Sequence, residues 1–213
     1  MMSLDYSIIC SRHLMRQLII VWVLLPLTGL ASEWDLEQLM QNLAKTDSSY
    51  ATFVEKKSIA MLTAPIESSG ELIYTAPDHL EKRTIKPKPE LMILDHDNLL
   101  IEIGEQQHFP MKNDARFQRY RIQLQDYPEL AVFIDSIRGT LAGDLDALRK
   151  NYQLSLEGNA QKWLLTLTPT NEKMRAMVQD IHIAGTNDIV HSIKINQADG
   201  DSSFMVIEQQ KIP

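Results

Sequence analysis

The chain has 213 residues, 44% of them apolar, and carries 28 acidic against 21 basic residues for a net charge of −7. That balance excludes nucleic acid as a partner, because phosphates demand a basic face. The length suits one domain with a sizeable core, and a single cysteine, Cys10, excludes an internal disulfide framework.

At the N-terminus Arg12, His13 and Arg16 precede an apolar run from Leu18 to Leu27, which gives way to Thr28-Gly29-Leu30-Ala31. This is the layout of a secretory signal peptide. The run is shorter than the roughly 20 residues of a membrane span, and Gly29 and Ala31 fall at the −3 and −1 positions of a cleavage after Ala31. Residues 1–31 are therefore expected to be a leader and residues 32–213 a soluble periplasmic domain. Without Arg12, Arg16 and Asp5, 19 basic and 27 acidic residues remain, a net charge of −8. Cys10 leaves with the leader, so the mature chain has no thiol. The residue after the cleavage is Ser32, where a lipidated envelope protein needs cysteine.

Ser32 can cap a helix whose apolar positions Leu36, Leu39, Met40 and Leu43 follow helical spacing, with Asp35 in the first turn to suit the dipole. From Tyr50 the rhythm changes to period two, which predicts strands at 50–61, 70–76, 79–86, 90–95, 99–105, 152–158, 162–168, 178–184, 189–197 and 203–211. Asp95-His96-Asp97-Asn98, Gly185-Thr186-Asn187-Asp188 and Asp199-Gly200 sit between apolar runs as hairpin turns. A second helix is predicted over Pro128–Leu141, with Leu130, Phe133, Ile134, Ile137 and Leu141 on one stripe, and a shorter helical turn over Asp144–Lys150. Ile101 and Ile103 alternate with Glu102, and Ile193 and Ile195 flank Lys194, giving the sheet an apolar and a wetter face. The expected fold is mainly β, of the α+β kind: a curved antiparallel sheet with helices covering its concave apolar face. Two amphipathic helices are thin cover for so large a sheet, and surface left between them would form an apolar cavity.

Several segments carry a resemblance. Ala51-Thr52-Phe53-Val54-Glu55-Lys56, then Ser69-Gly70-Glu71-Leu72-Ile73-Tyr74 with Ala76-Pro77, then Leu94-Asp95-His96-Asp97-Asn98-Leu99-Leu100-Ile101, stand in the order and spacing of three early strand motifs of one family. They resemble the periplasmic outer-membrane lipoprotein carriers, LolA and its relatives. The resemblance implies an unclosed half-barrel with helices as a lid over a hydrophobic cavity that shields acyl chains in transit. It implies a non-enzymatic periplasmic carrier or binding protein, without cofactor, for a lipid, acyl chain or acylated lipoprotein moving toward the outer membrane. Transient inner- or outer-membrane protein partners go with that role. Three departures accompany it. His96 replaces the usual glycine, Ala76 stands where well-studied carriers have arginine, and Pro213 follows soon after the last predicted strand, where those carriers add a loop and a strand. The cargo is thus open among lipoprotein, glycolipid and fatty-acyl product. An alternative within the same fold is a regulatory sensor, as in RseB-type proteins, that binds lipid or a signalling partner; those sensors have a second domain.

The expected cavity lining is Phe53, Leu72, Tyr74, Leu91, Ile93, Ile101 and Leu165 from strands, with Leu130, Phe133, Ile134 and Ile137 from the lid helix. Each methylene buried there contributes about 0.8 kcal/mol, so such a site needs shape more than a reactive group. Met174 and Met177 lie in a connection that could border its mouth. No nucleophile elbow, zinc-protease motif or phosphate loop is present. His182 and His191 would face each other if their hairpin turned between Thr186 and Asn187, but no third ligand is near in sequence and no metal is expected. Two basic clusters, Lys82, Arg83, Lys86 and Lys88, and Arg116, Arg119 and Arg121, are either solvated faces or contacts for an anionic head group or for an acidic surface of a membrane partner.

Overall fold

The computed structural model describes residues 34–104 and 117–210; the expected leader over residues 1–31, Ser32 and Arg116 lie outside them. Helix α1 (Leu36–Leu43) is capped by Asp35, whose carboxylate accepts from the Gln38 amide at 2.8 Å. The cap is thus Asp35 itself, which sequence alone placed inside the first turn. Leu39, Met40 and Leu43 are buried, as their spacing requires.

Six strands follow as a meander: β1 (Ser48–Ser58), β2 (Ile66–Thr75), β3 (His79–Lys86), β4 (Glu90–Asp95), β5 (Asn98–Gly104) and β6 (Phe117–Gln123). A 3-10 turn (Leu124–Asp126) then leads into α2 (Pro128–Leu141) and α3 (Leu145–Asn151). The chain returns through β7 (Tyr152–Asn159), β8 (Lys162–Pro169), the short α4 (Glu172–Arg175), β9 (Val178–Thr186), β10 (Ile189–Gln197) and β11 (Ser202–Gln210). All eleven strands form one antiparallel sheet in the order β6-β5-β4-β3-β2-β1-β11-β10-β9-β8-β7. The two meanders are joined by β1 and β11, in register from Tyr50 opposite Gln210 to Ser58 opposite Ser202. The outermost strands β6 and β7 do not pair with each other, so the barrel is unclosed.

β6 and α4 are additions to the predicted elements. β6 reads Phe-Gln-Arg-Tyr-Arg-Ile-Gln; Ile122 packs against a core while Tyr120 is exposed, and three of its seven residues are apolar or aromatic, so its alternation is faint. The predicted turns hold. His96 and Asn187 take the left-handed conformation (φ 55° and 51°), and Gly200 does so at 91°.

Two cores form on the inner face. The larger packs α1 and α3 on the β7–β10 half, with Leu39, Leu43, Leu148, Trp163, Leu165 and Ile181 at its centre. The smaller sets Leu130, Ala131 and Ile134 of α2 over Leu94, Leu99 and Leu124. Gly143, at φ 67°, lets the α2–α3 junction rest on α1, since a Cβ there would fall 2.2 Å from the Met40 carbonyl oxygen.

Candidate functional site

Between the two cores the inner face stays uncovered along β1, β2, β10 and β11, and a cavity of about 530 Å³ fills the gap. That is within the roughly 300–1,000 Å³ of small-molecule sites. Its walls come from Leu72 and Tyr74 of β2, Leu80, Met92, Leu94 and Leu99 of β3–β5, and Val190, Ile193, Ile195, Met205 and Ile207 of β10–β11. That strands so far apart in the sheet share one cavity requires strong curvature. The roof is α2, through Phe133, Ile134, Ile137 and Leu141.

α2 is held in a particular way. Its most buried positions are small or polar: Ser136 and Thr140 are each 1% exposed, and Gly139 lies against Leu148 of α3. Both hydroxyls are satisfied inside the helix, Ser136 Oγ on the Phe133 carbonyl at 2.6 Å and Thr140 Oγ1 on the Ser136 carbonyl at 2.7 Å. The large apolar side chains are only half-buried, over the cavity. On its outer side Arg138 donates to the His96 carbonyl at 2.8 Å and pairs with Asp135 at 2.5 Å. A cation on the roof itself therefore fastens it to the β4–β5 turn.

One corner of the cavity is polar. Glu55 Oε2 accepts from Lys82 Nζ at 2.6 Å and from Ser68 Oγ at 3.5 Å, and Glu55 Oε1 accepts from Ser203 Oγ at 2.5 Å. The Lys82 ammonium also lies 5.0 Å from the centre of the Phe53 ring. Burial alone would raise the Glu55 pKa, but Lys82, the Ser203 hydroxyl and Lys57 together hold it below the ordinary glutamate value of 4.5. A depressed folded-state value gives stability that is present above 4.5 and is lost as the pH falls through the lower folded value. Glu55→Gln is therefore expected to be less stable at neutral pH and to lose stability less steeply on acidification than the wild type. Urea unfolding followed at stepwise lower pH checks this; parallel curves for the two proteins would contradict it.

Of the eleven residues expected to line the cavity, Leu72, Tyr74, Phe133, Ile134 and Ile137 do so. Leu165 is fully buried in the larger core, and Ile101 and Leu130 pack in the smaller. Phe53 is 2% exposed beneath Gly70, where a Cβ would sit 3.0 Å from its ring. Leu91 and Ile93 belong to the other face of β4: it is Met92 and Leu94 that reach the cavity, and a strand alternates faces residue by residue. Met174 is buried in the larger core and Met177 is exposed, so neither borders the cavity. The His182–His191 pairing does not form. The hairpin turns at Asn187-Asp188 and a bulge follows Val190, so His182 lies opposite Lys194. His182 contacts Asp180 at 2.8 Å and His191 the Thr186 hydroxyl at 2.6 Å. Among the described residues no cluster of three or more metal-ligating side chains occurs. Of the basic clusters, Lys82 turns inward, whereas Arg83 pairs with Glu71 and Glu81 and Arg119 with Glu102 on the outside.

An unclosed, helix-roofed antiparallel barrel around an apolar cavity defines the class of architecture. The model of the family described as outer membrane lipoprotein carrier protein LolA-like matches residues 28–208, and the chain belongs to that family. Among solved structures it is similar to a LolA superfamily protein from Nitrosomonas europaea, at 10% identity and a TM-score of 0.42, over 84% of this chain and 94% of that one. It is also similar to a chain of the Pseudomonas aeruginosa MucA/MucB complex, at 14% identity and a TM-score of 0.43, over 84% of this chain and 58% of that one. No curated protein sequence matches it significantly.

Proposed function

We propose that this protein is an exported binding protein or carrier that holds a lipid acyl chain in its cavity while the lipid passes through the periplasm toward the outer membrane. The observation that carries this reading is the set of buried and half-buried apolar side chains from both meanders and from α2 around about 530 Å³ of space. A core closes on itself; here Leu72, Ile193, Ile195 and Met205 of the walls and Phe133 and Leu141 of α2 pack on the larger core on one side and border open space on the other. A chain of a dozen carbons entering it gains roughly 10 kcal/mol at about 0.8 kcal/mol per methylene. That gain offsets all but the upper part of the roughly 4–15 kcal/mol that association costs. Family membership supports the carrier role, and the apolar run ending in Gly29-Leu30-Ala31 supports export.

The protein expressed with its own leader and purified from a periplasmic extract without detergent is expected to begin at Ser32 and to release acyl lipid on organic extraction, detected by mass spectrometry. A lipid-free preparation that also fails to bind added fatty acid would overturn the reading.

A further inference from the structure

We propose that the ligand is a single-chain amphiphile with an anionic head group, its tail along the cavity and its head at the Lys57–Lys82 corner. This rests on the acyl-chain reading above and narrows it. The first argument is volume. A cavity of about 530 Å³ has room for one long acyl chain.

The second argument is where the charge lies. Lys57 on β1 stands opposite Ser203 of β11, Glu55 is two residues along the same strand, and Lys82 reaches in from β3 beside Leu72. These four side chains all border the cavity. The other charges on its border stand apart. Glu81 is paired with Arg83 at 2.6 Å, a guanidinium it shares with Glu71, and Asp188 is in the β9–β10 turn, five residues along the chain from Ile193, or roughly 15 Å at strand rise. At the corner two ammonium groups face one carboxylate, a local excess of one positive charge in a chain of net −7.

The third argument is which polar valences are free. Both Glu55 oxygens are occupied, by Ser203 on one side and by Lys82 and Ser68 on the other, so the carboxylate orients Lys82 instead of receiving a ligand. Lys82 has three N–H donors and Glu55 takes one. Lys57 is exposed at the rim and makes no ion pair among the described residues. The corner therefore offers donors and positive charge. A carboxylate or a phosphate ester satisfies both, a neutral alcohol has no charge to offer, and a cationic head is repelled.

Displacement of Nile red, an uncharged dye that reports cavity occupation whatever the head group, tests this. Competitors are palmitate, monopalmitoyl glycerol phosphate, hexadecanol, hexadecyltrimethylammonium and dipalmitoyl phosphatidate. The two single-chain anions are expected to displace the dye at least tenfold more strongly than the alcohol or the cation, with one chain per protein in native mass spectra, and the diacyl lipid is expected to fail. Whichever anion is stronger identifies the head as carboxylate or phosphate. Lys57→Gln should collapse the preference of palmitate over hexadecanol about tenfold. Because Lys82→Gln alone strands Glu55, the neutral pair Glu55→Gln with Lys82→Gln serves as the second variant; it keeps the charge of Lys57 but removes the Lys82 donors, and should lower the preference by a smaller factor than Lys57→Gln. Equal displacement by all single-chain competitors, or a preference untouched by both variants, would sink the head-group assignment and leave the acyl-chain reading standing. If no competitor displaces the dye, the acyl-chain reading itself fails.

Discussion

Trp163→Ala is expected to lower the melting temperature by roughly 6–20 °C, from about 3–5 kcal/mol for removing a buried aromatic and about 2–4 °C per kcal/mol in a chain of this size. Trp163 is 1% exposed in the larger core. Its indole lies beneath Gly185, whose position tolerates no side chain: a Cβ there would come within 2.4 Å of the ring and 2.1 Å of the Ile189 carbonyl oxygen. The indole N–H donates to the Asn187 carbonyl at 3.0 Å, so truncation also strands an acceptor in the β9–β10 turn. That hairpin carries Val190, Ile193 and Ile195 to the cavity wall. Thermal unfolding followed by far-ultraviolet circular dichroism measures the effect; a loss of only one or two degrees would show that this ring does not hold the second meander together.

The double substitution Phe133→Ala with Ile137→Ala is expected to do the reverse: cost little stability and much affinity. The two residues lie four apart on α2 and both border the cavity. Both are half-buried, so each removal should cost about 1 kcal/mol, about half of the ~1.5–3 kcal/mol that full burial of such a side chain contributes. α2 keeps its place through Ser136, Gly139 and Thr140 against its surroundings and through Arg138 on the His96 carbonyl. A bound chain, however, loses one side of its channel. Affinity for a fluorescent fatty acid should fall at least tenfold, which corresponds to about 1.4 kcal/mol. A variant that melts far lower while its folded fraction binds normally would show that α2 is ordinary core.

Much of this architecture is legible in the chain, because period-two patterning and turn chemistry act over a few residues. The hairpins at Asp95–Asn98 and Asn187-Asp188 follow from residues that tolerate left-handed backbone. The apolar stripe of α2 places Phe133, Ile134 and Ile137 on the cavity. What a local pattern cannot give is phase where both faces are apolar. In Glu90–Asp95 the run Leu91-Met92-Ile93-Leu94 is apolar at every position, so only the pairing of Leu94 with Leu80 and Leu99 reveals which pair faces inward. A one-residue error in a turn centre had the same consequence for His182 and His191. The polar corner is harder still. Glu55 and Lys82 are 27 residues apart, and Glu55 and Ser203 are 148 apart. They meet only through the joining of β1 with β11 and the β1-β2-β3 register. Glu55 stands in the motif that carried the family resemblance, yet its motif alone says nothing of its partners.

The central claim, that the cavity receives an acyl chain, is tested most directly by filling it. Leu72 is half-buried on the cavity wall, opposite the small Ala51 on one neighbouring strand and Lys82 on the other. In Leu72→Trp the indole enters space that the native side chains leave open. The account predicts a melting temperature within a few degrees of wild type, together with at least a tenfold loss of fatty-acid binding measured by Nile red displacement. A well-packed core would instead lose about 1–3 kcal/mol to overpacking. A strongly destabilised variant whose folded fraction still binds fatty acid as the wild type does would contradict the claim.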